Sequence, residues 1–216
     1  MTETTKATFG CKFRDALNER VVEYPFALSM VSRTKGRNVV DVGSGPTPAF
    51  WYILTNIGFN AIALDPMAKS SIKFSSKTNK FKRKSIVNSG MPSNYFDIVF
   101  CISTLEHVKE YEKAILEMNR ICKPQGLIVV TTPFCCNEYI KDTIGLPKTK
   151  KYSCNHAYSL SQYEKWTNII GTIEEKKIWR AWSGPSWRKG ERFFIPKPVS
   201  EEKDADLIAV CWRKEG

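Results

Sequence analysis

Short apolar runs alternate with segments of helical periodicity over the first two thirds of the chain. Most of these runs are nearly continuous rather than alternating, which is typical of parallel strands that are buried on both faces. Turn-forming residues separate the runs from the helical segments. The predicted strands are NVVDV (38–42), NAIALD (60–65), KSIVN (84–88), FDIVFCIS (96–103) and LIVVTT (127–132).

The segments between these runs carry helical patterns. Residues 49–58 (AFWYILTNIG) predict a helix that ends at Gly58, and residues 108–122 predict an amphipathic helix that the sequence KPQG stops. Residues 13–33 predict one or two helices with Pro25 near a break. Strands that alternate with helices in this way predict a parallel sheet with helices on both faces.

The last third of the chain has a different pattern. One more helix is predicted at 159–171, where Ser161 and Glu164 have capping-box spacing. Two more strands follow, TIEEKKIW (172–179) and DLIAVCW (206–212), which brings the predicted sheet to seven strands. The connection between these two strands is long and aromatic, and long connections in compact domains are commonly functional.

Composition limits the class of protein. The chain has 216 residues, 42% of them apolar, which suits one domain, and we expect an N-terminal helical segment (1–35), a binding core (36–134) and an acceptor-binding region (135–216). No apolar run is long enough to span a membrane, and no signal peptide is recognisable. The seven cysteines form no CxxC pair, which favours reduced thiols and a cytoplasmic location.

The net charge of +11 raises the question of an anionic partner. Nucleic acid, a membrane surface or a phosphorylated substrate would each fit a basic protein. The densest basic run, KTNKFKRKS (77–85), lies at a predicted connection and strand start, and we interpret it as a solvated edge in preference to a phosphate contact. The charge alone therefore selects no partner.

A glycine turn follows the first predicted strand directly. Gly43 and Gly45 occupy the first two positions of a dinucleotide-binding fingerprint, but Pro48 occupies the third. Asp41 precedes the turn, and its carboxylate would repel a pyrophosphate. An acid beside a glycine turn fits a ligand with positive charge, so the pattern disfavours a dehydrogenase and favours S-adenosylmethionine, which carries an ammonium and a sulfonium.

A second acid supports a nucleoside ligand. Asp65 ends the second predicted strand, 24 residues after Asp41. An acid at about this distance past the turn can accept hydrogen bonds from both ribose hydroxyls. The alternative is that both acids only cap local turns, which is less economical for two acids on neighbouring strands.

These segments resemble the class I S-adenosylmethionine-dependent methyltransferases, in particular the subgroup that methylates small molecules and sugars. The resemblance covers about residues 19–134 and rests on VVDVGSGP, IALDP, FDIVFCISTLEHV and ILEMNRICKPQGLIVVTTPF. It implies an α/β fold with a doubly wound, Rossmann-like sheet of seven mostly parallel strands, an antiparallel last strand and helices on both faces. It also implies S-adenosylmethionine as the cofactor and S-adenosylhomocysteine as the product.

The resemblance further implies a role for each matching residue. The methionine end would lie against the glycine turn, the ribose against Asp65, and the adenine near Met67 and the pair that follows the third predicted strand. In that pair, Asn88 stands where the family usually has an acid. The implied cofactor-binding residues are Asp41, Gly43, Ser44, Gly45, Asp65, Pro66, Met67, Asn88, Ser89, Ser103 and Leu105.

Methyl transfer to a hydroxyl also requires a base. The chain has two histidines, His107 at the end of the fourth predicted strand and His156 before the last predicted helix. We favour His156 as the base and keep His107 as the alternative, although either histidine can have a purely structural role. Glu106 is a further catalytic candidate that, like Tyr158, could orient the acceptor. Glu106 is the only acid of STLEHV, so a magnesium site is not expected and transfer without a metal is predicted.

The acceptor is less constrained than the cofactor. Aromatic side chains beside arginines in the last connection suit a sugar ring or a base, although some of them must fill the core. The predicted acceptor-binding residues are Tyr158, Trp182, Trp187 and Arg188. By analogy with the subgroup, we expect a sugar hydroxyl of a glycan or nucleotide-sugar, such as rhamnose. The alternatives are an RNA or tRNA methyltransferase, which the charge favours, and a binding module without activity.

Overall fold

The computed structural model describes residues 19–67, 81–141, 155–185 and 187–216. Eight strands in this part of the chain form one sheet. The strands are β1 (Asn38–Val42), β2 (Asn60–Leu64), β3 (Phe81–Lys82), β4 (Phe96–Ile102), β5 (Cys122–Pro133), β6 (Gly171–Trp182), β7 (Arg192–Pro198) and β8 (Leu207–Lys214). The helices are α1 (Arg20–Ser29), α2 (Ala49–Asn56), α3 (Tyr111–Ile121) and α4 (Leu160–Ile170).

The sheet has the strand order β3-β2-β1-β4-β5-β8-β6-β7. Strands β1 to β5 are parallel to one another, whereas β8 runs antiparallel to both of its neighbours, β5 and β6. The predicted α/β fold with a mostly parallel, Rossmann-like sheet and an antiparallel last strand is confirmed. Its strand count was wrong by one, because β7 lies within the connection that the sequence pattern left without structure and pairs antiparallel with β6.

Apolar side chains fill both faces of the sheet. Along β1, Val39 belongs to the cluster that packs against α1 and α2, and Val40 belongs to the cluster that packs against α3 and α4. Successive side chains of a strand point to opposite faces, so a strand covered on both sides is apolar at almost every position. This explains why NVVDV gives a continuous apolar pattern and not an alternating one.

The third predicted strand was misplaced. The paired residues are Phe81–Lys82, and Ile86–Asn88 instead form a 3-10 turn. Ser85 precedes this turn, and its hydroxyl accepts a hydrogen bond from the backbone N–H of Val87 at 3.3 Å. A serine that bonds its own local backbone competes with strand pairing, which is the physical reason that KSIVN does not extend the sheet.

The helix ends also differ in part from the prediction. Helix α4 begins after Ser159, whose backbone N–H donates to the Gln162 side chain at 3.1 Å, so the capping pair is Ser159 and Gln162 and not Ser161 and Glu164. Pro25 lies inside α1 and does not end it. The first part of the predicted 13–33 helical segment, residues 13–18, lies outside the described residues. None of the helices in the described ranges is long and apolar enough to cross a bilayer.

Candidate active site

A cavity of about 800 Å³ opens at the carboxyl ends of β1, β2 and β4. The strand order reverses between β1 and β4, since β2 follows on one side of β1 and β4 lies on the other. Open α/β sheets bind ligands at this switch point, beyond the carboxyl ends of the strands. The volume is in the range of small-molecule and cofactor sites.

The glycine turn forms one wall of the cavity. Gly43 and Gly45 have φ angles of 72° and 73°, a left-handed conformation that favours glycine. A Cβ on Gly43 would lie 2.0 Å from the Thr104 side chain, whereas a Cβ on Gly45 would meet nothing within 4 Å. Gly43 therefore allows the turn to pack against the segment after β4, and Gly45 leaves the cavity open.

Asp41 lies at the base of this turn and is buried. Its Oδ2 accepts a hydrogen bond from the backbone N–H of Trp51 at 3.1 Å, which satisfies a donor in the first turn of α2. Burial raises the pKa of Asp41 to about 7, against the opposing effects of the Trp51 N–H and the nearby Arg20. A cationic group in the cavity would favour the ionised form of Asp41.

Asp65 follows the second strand, and its side chain hydrogen-bonds to the glycine turn. Its Oδ2 accepts from the N–H of Gly45 at 2.8 Å, and its Oδ1 accepts from the N–H of Met67 at 2.6 Å. Both carboxylate oxygens are thereby oriented at the cavity wall, and each can accept a further hydrogen bond. Such a carboxylate is suited to bind two neighbouring hydroxyl groups.

Nine of the eleven residues proposed from the sequence for the cofactor line the cavity. They are Asp41, Gly43, Ser44, Gly45, Asp65, Pro66, Met67, Asn88 and Ser103. The remaining two are buried behind the wall: the Ser89 hydroxyl donates to Glu117, and the Leu105 carbonyl accepts from Tyr158 at 2.8 Å. The structure thus gathers residues from four separate segments of the sequence around one space.

Of the three proposed catalytic residues, His107 lines the cavity. Glu106 is buried beside it, with 4.0 Å between Glu106 Oε1 and His107 Nε2. Burial raises the pKa of Glu106 to about 8, so its carboxyl is largely protonated near neutral pH. Among the described residues, Glu106 Oε2 has no hydrogen-bond partner.

His156 lies behind the same turn and is buried. Its backbone N–H donates to the Glu106 carbonyl at 2.9 Å, and its Nδ1 is 2.9 Å from the Tyr139 hydroxyl. Tyr158 lies within the same aromatic cluster, and its ring is 5.8 Å from that of His156. The structure therefore brings His156, Tyr158 and Glu106 together, next to the cavity wall but not among the residues that line it.

The predicted acceptor-binding residues of the aromatic connection lie elsewhere. Trp187 is buried in the cluster that packs under α1, and Trp182 packs against it with ring centroids 6.2 Å apart. Arg188 is exposed, with a φ angle of 61°. None of these three is among the residues that line the cavity in the described part of the chain.

Helix α1 contributes residues that the sequence analysis did not single out. Arg20 and Tyr24 line the cavity. Glu23 is buried and forms an ion pair with Arg20, and its Oε1 accepts from the hydroxyls of Ser103 and Thr131, both at 2.6 Å. The i, i+3 spacing of Arg20 and Glu23 was visible in the sequence, but nothing in it indicated that this pair faces the sheet and not solvent.

The lining residues fit the implied cofactor. Ser44 Oγ is buried and has no hydrogen-bond partner among the described residues, so a polar ligand group would satisfy it. Open space beside Gly45, two oriented carboxylates and an arginine complete the wall. In the described ranges, no group of three or more His, Cys, Asp or Glu side chains is placed to hold a metal ion.

Comparison with known proteins agrees with this geometry. Residues 40–130 match the model of a family described as a methyltransferase domain. An uncharacterized protein of Methanocaldococcus jannaschii is 34% identical over 108 residues, which are 50% of this chain and 46% of that relative. The matched part is thus less than half of the relative's length.

Two solved structures of low sequence identity share the fold. YcgJ of Bacillus subtilis has a TM-score of 0.64 at 13% identity, and the match covers 90% of this chain and 98% of the YcgJ chain. The 1,6-didemethyltoxoflavin-N1-methyltransferase of Burkholderia thailandensis was solved with bound 1,6-didemethyltoxoflavin and S-adenosylhomocysteine. It has a TM-score of 0.64 at 10% identity, and the match covers 98% of this chain and 88% of that protein. Residues 40–130 thus match a methyltransferase domain, and the described chain shares its fold with these two structures.

Proposed function

We propose that the protein is an S-adenosylmethionine-dependent methyltransferase that acts on a small molecule. The observation that carries this proposal is the cavity at the switch point, where Asp41 and Asp65 flank a turn of two left-handed glycines. S-adenosylmethionine supplies a methyl group activated by its sulfonium. The Burkholderia structure of the same fold, solved with S-adenosylhomocysteine, supports this cofactor.

The chain's own residues would bind and orient the two reactants. Asp41 would pair with the ammonium, Ser44 would donate to or accept from the methionine end, and Asp65 would accept from the ribose hydroxyls. Holding the reactants in line is the main contribution available to the protein, since orientation accounts for about 7–11 kcal/mol of barrier in favourable intramolecular systems. No residue needs to form a covalent intermediate.

For the acceptor, we propose a hydroxyl of a sugar in a glycan or nucleotide-sugar, such as rhamnose, methylated without a metal. The support is His107, a base candidate that lines the cavity. His156 and Glu106 lie behind that wall and would act through the turn that contains His107. Trp182, Trp187 and Arg188 add no support, because they do not line the cavity. The reduced thiols of the five described cysteines agree with the proposed cytoplasmic location.

A second candidate acceptor is a ring nitrogen of a heterocycle. The observation that favours it is the fold shared with the Burkholderia N1-methyltransferase. An RNA acceptor is the third candidate, because the net charge is +11 and Arg83 Nε donates at 3.3 Å to the carbonyl of Pro66, a residue of the cavity wall. Phosphate contacts would make RNA binding fall steeply with salt.

The test of function has two stages. Calorimetric titration with S-adenosylhomocysteine measures cofactor binding, and no binding would overturn the proposal. A methyl-transfer screen with isotopically labelled donor then compares sugar, heterocycle and RNA acceptors by mass spectrometry. Labelled methyl on a sugar oxygen is the expected result, and label on a ring nitrogen or on RNA would replace the acceptor.

A further inference from the structure

The turn between β6 and β7 carries cations that no acid of the described ranges neutralises. This β6–β7 turn is described over residues 183–185 and 187–191, and Arg188 and Lys189 are exposed within it. Neither of them takes part in an ion pair among the described residues. By contrast, Lys176 in the middle of β6 is paired with a glutamate. The charge of the turn is therefore available to an anionic partner.

Exposed apolar side chains lie on β7, close in sequence to these cations. Ile195 is 56% exposed and Phe194 is 50% exposed, and they are the one adjacent pair among the large exposed apolar side chains of the described residues. Lys197 is also exposed, and its Nζ lies 4.3 Å from the centre of the Phe193 ring. Residues 180–197 as a whole contain five cations and one acid. Apolar side chains flanked by lysine and arginine suit the boundary between lipid headgroups and acyl chains.

The core and local hydrogen bonds fix the conformation of the β6–β7 turn. Trp187 is buried and packs against Trp182, with ring centroids 6.2 Å apart. The backbone N–H of Gly184 donates to the carbonyl of Lys189 at 2.9 Å. Arg188 follows the buried Trp187 directly and has a φ angle of 61°, a left-handed conformation that is uncommon for a non-glycine residue. A buried anchor beside a strained, exposed arginine indicates that the outward position of these cations is part of the fold.

The β6–β7 turn projects from the edge of the sheet at which the cavity opens. Pro133, at the carboxyl end of β5, pairs with Leu207 of β8, and Leu207 pairs in turn with Trp179 of β6. Strand β6 continues beyond Trp179, so the turn lies past that edge. After the turn, Arg192 Nη2 lies 3.1 Å from Oε1 of Glu19, which directly precedes α1, and α1 lines the cavity. A flat partner that contacts the turn is therefore beside the cavity opening.

Two other kinds of partner fit this edge less well. Pro196 and Pro198 lie in β7, the outer strand of the sheet in the described ranges. Proline has no backbone N–H to donate, so addition of a strand from a peptide or a second copy is disfavoured. Nucleic acid would use the cations and Phe194, but it would leave Ile195 exposed, since base stacking uses aromatic faces. An anionic lipid surface uses both the cations and the apolar pair.

We propose that the β6–β7 turn and β7 bind the surface of an anionic lipid bilayer. Arg188, Lys189 and Lys197 contact the headgroup phosphates. Phe194 and Ile195 enter the boundary between the headgroups and the acyl chains. This inference goes beyond the proposed function and does not depend on the cofactor. Because the cavity opens at the same edge of the sheet, the bound protein presents the cavity to acceptors held at the lipid surface.

Sedimentation of the whole chain with lipid vesicles tests this surface. One set of vesicles contains phosphatidylcholine alone, and the other contains equal parts of phosphatidylcholine and phosphatidylglycerol. The wild-type protein should bind the mixed, anionic vesicles more tightly, and this binding should weaken as the salt concentration rises. Absent binding, or equal binding to the two sets of vesicles, would overturn the proposal without any variant.

Two double variants separate the cations of the turn from the net charge. Arg188→Ser with Lys189→Ser should weaken binding to the mixed vesicles about 10- to 30-fold, since each cation at an anionic surface contributes roughly fivefold. Lys176→Ser with Lys177→Ser is the matched control, because it removes the same charge from a part of β6 where both lysines are paired with acids. This control should weaken binding less than about threefold. Equal losses in the two double variants would overturn the assignment to the turn.

Two further double variants test the apolar contact without changing any charge. Phe194→Ser with Ile195→Ser should weaken binding to the mixed vesicles about tenfold, because binding scales with the apolar area that enters the lipid. Leu116→Ser with Ile169→Ser is the matched control, since it removes two exposed apolar side chains from α3 and α4. It should leave binding unchanged, and circular dichroism confirms that each variant folds. Full binding by the β7 variant would overturn the apolar contact.

The outcomes distinguish this inference from the proposed function. Arg188, Lys189, Phe194 and Ile195 do not line the cavity, so their variants should bind S-adenosylhomocysteine as tightly as the wild-type protein does. Absence of cofactor binding would overturn the proposed function and leave vesicle binding as a separate result. A short single-stranded RNA is the last probe. Binding of RNA that depends on Arg188 and Lys189, together with absent vesicle binding, would overturn the lipid surface in favour of nucleic acid.

Discussion

Asp41 combines a structural role with a proposed binding role in one carboxyl group. One oxygen satisfies the N–H of Trp51 at the start of α2, and the same group lines the cavity. In the sequence, a local cap and a ligand contact were alternative explanations for this acid. The two roles are compatible at one residue, because the turn after β1 leads directly into α2.

Cofactor affinity should therefore depend on pH through Asp41. Burial raises the pKa of this group to about 7, and an ammonium binds the ionised form, so affinity should fall as the pH falls below 7, by up to about tenfold per pH unit. Asp41→Asn should bind S-adenosylhomocysteine more weakly and with little pH dependence between pH 5.5 and 8. Calorimetric titrations across this range test the slope.

The control for this pH dependence is Asp206→Asn. Asp206 also has a raised pKa through burial, about 6, but its carboxylate accepts from the N–H groups of Ala181 and Trp182, and it does not line the cavity. The wild-type slope should persist in Asp206→Asn. A slope that persists in Asp41→Asn would instead assign the titration to another group.

Loss of the second acid should weaken binding at every pH. Asp65→Ala removes the carboxylate proposed to accept from the ribose hydroxyls, and a charged hydrogen bond contributes about 1.5–3 kcal/mol, or roughly 10- to 100-fold in affinity. The variant also loses the two backbone contacts to Gly45 and Met67, so circular dichroism must confirm that it folds. Unchanged affinity for S-adenosylhomocysteine in a folded Asp65→Ala protein would contradict the ribose role.

The two glycines of the turn should respond differently to alanine. At Gly45 the new methyl group meets no atom within 4 Å, so Gly45→Ala should cost only the left-handed backbone penalty of about 1–2 kcal/mol and should lower cofactor affinity by filling the cavity. At Gly43 the methyl group would lie 2.0 Å from Thr104, so Gly43→Ala should destabilise the fold further. Urea denaturation combined with S-adenosylhomocysteine titration separates the two effects, and normal binding by Gly45→Ala would show that the cofactor does not pass this position.

At the scale of elements, the sequence pattern predicted the strands and helices whose apolar positions are set by burial. Helices α2 and α3 and strands β1, β2 and β4 lie at the predicted places, because continuous apolar runs and helical periodicity follow directly from burial. Elements that depend on local hydrogen bonds or on distant pairing were not predicted. The Ser85 hydroxyl bonds its local backbone, and the predicted third strand is a 3-10 turn there. Strand β7 forms by pairing with β6 across a long loop, and no local sequence pattern indicates such a pairing.

The start of helix α4 gives a direct test of such local bonding. Ser159 and Gln162 form the observed capping pair, so Ser159→Ala should lower the free energy of unfolding by about 1 kcal/mol. Glu164→Ala removes the residue that the sequence pattern assigned to the cap, and this exposed position should change stability by less than 0.5 kcal/mol, roughly the usual limit for surface substitutions. Chemical denaturation of both variants measures the difference, and equal losses would place the cap where the sequence pattern put it.

At the scale of the whole molecule, the site is assembled by topology. The residues of the glycine turn and both acids were predictable, since each follows a recognisable strand. Arg20 was not, because only the packing of α1 on the carboxyl ends of β4 and β5, where Glu23 bonds Ser103 and Thr131, brings it to the cavity. The aromatic connection provides core side chains such as Trp187, and that burial was not visible in the sequence pattern.

Buried carboxyl groups should also set the pH dependence of stability for the whole fold. Burial raises the pKa of Asp41 to about 7 and that of Glu106 to about 8, from ordinary values of 3.8 and 4.5. Between the ordinary and the raised values the folded state holds protons that the unfolded chain has lost, so the free energy of unfolding should decrease as the pH rises through this window. The melting temperature without ligand should therefore be higher at pH 5.5 than at pH 8, and Glu106→Gln should reduce this difference.

S-adenosylhomocysteine should act in the opposite direction, because it binds the ionised Asp41, so the rise in melting temperature that it causes should be larger at pH 8. A ligand-induced rise that is equal at both pH values would mean that the Asp41 carboxyl does not meet the ammonium.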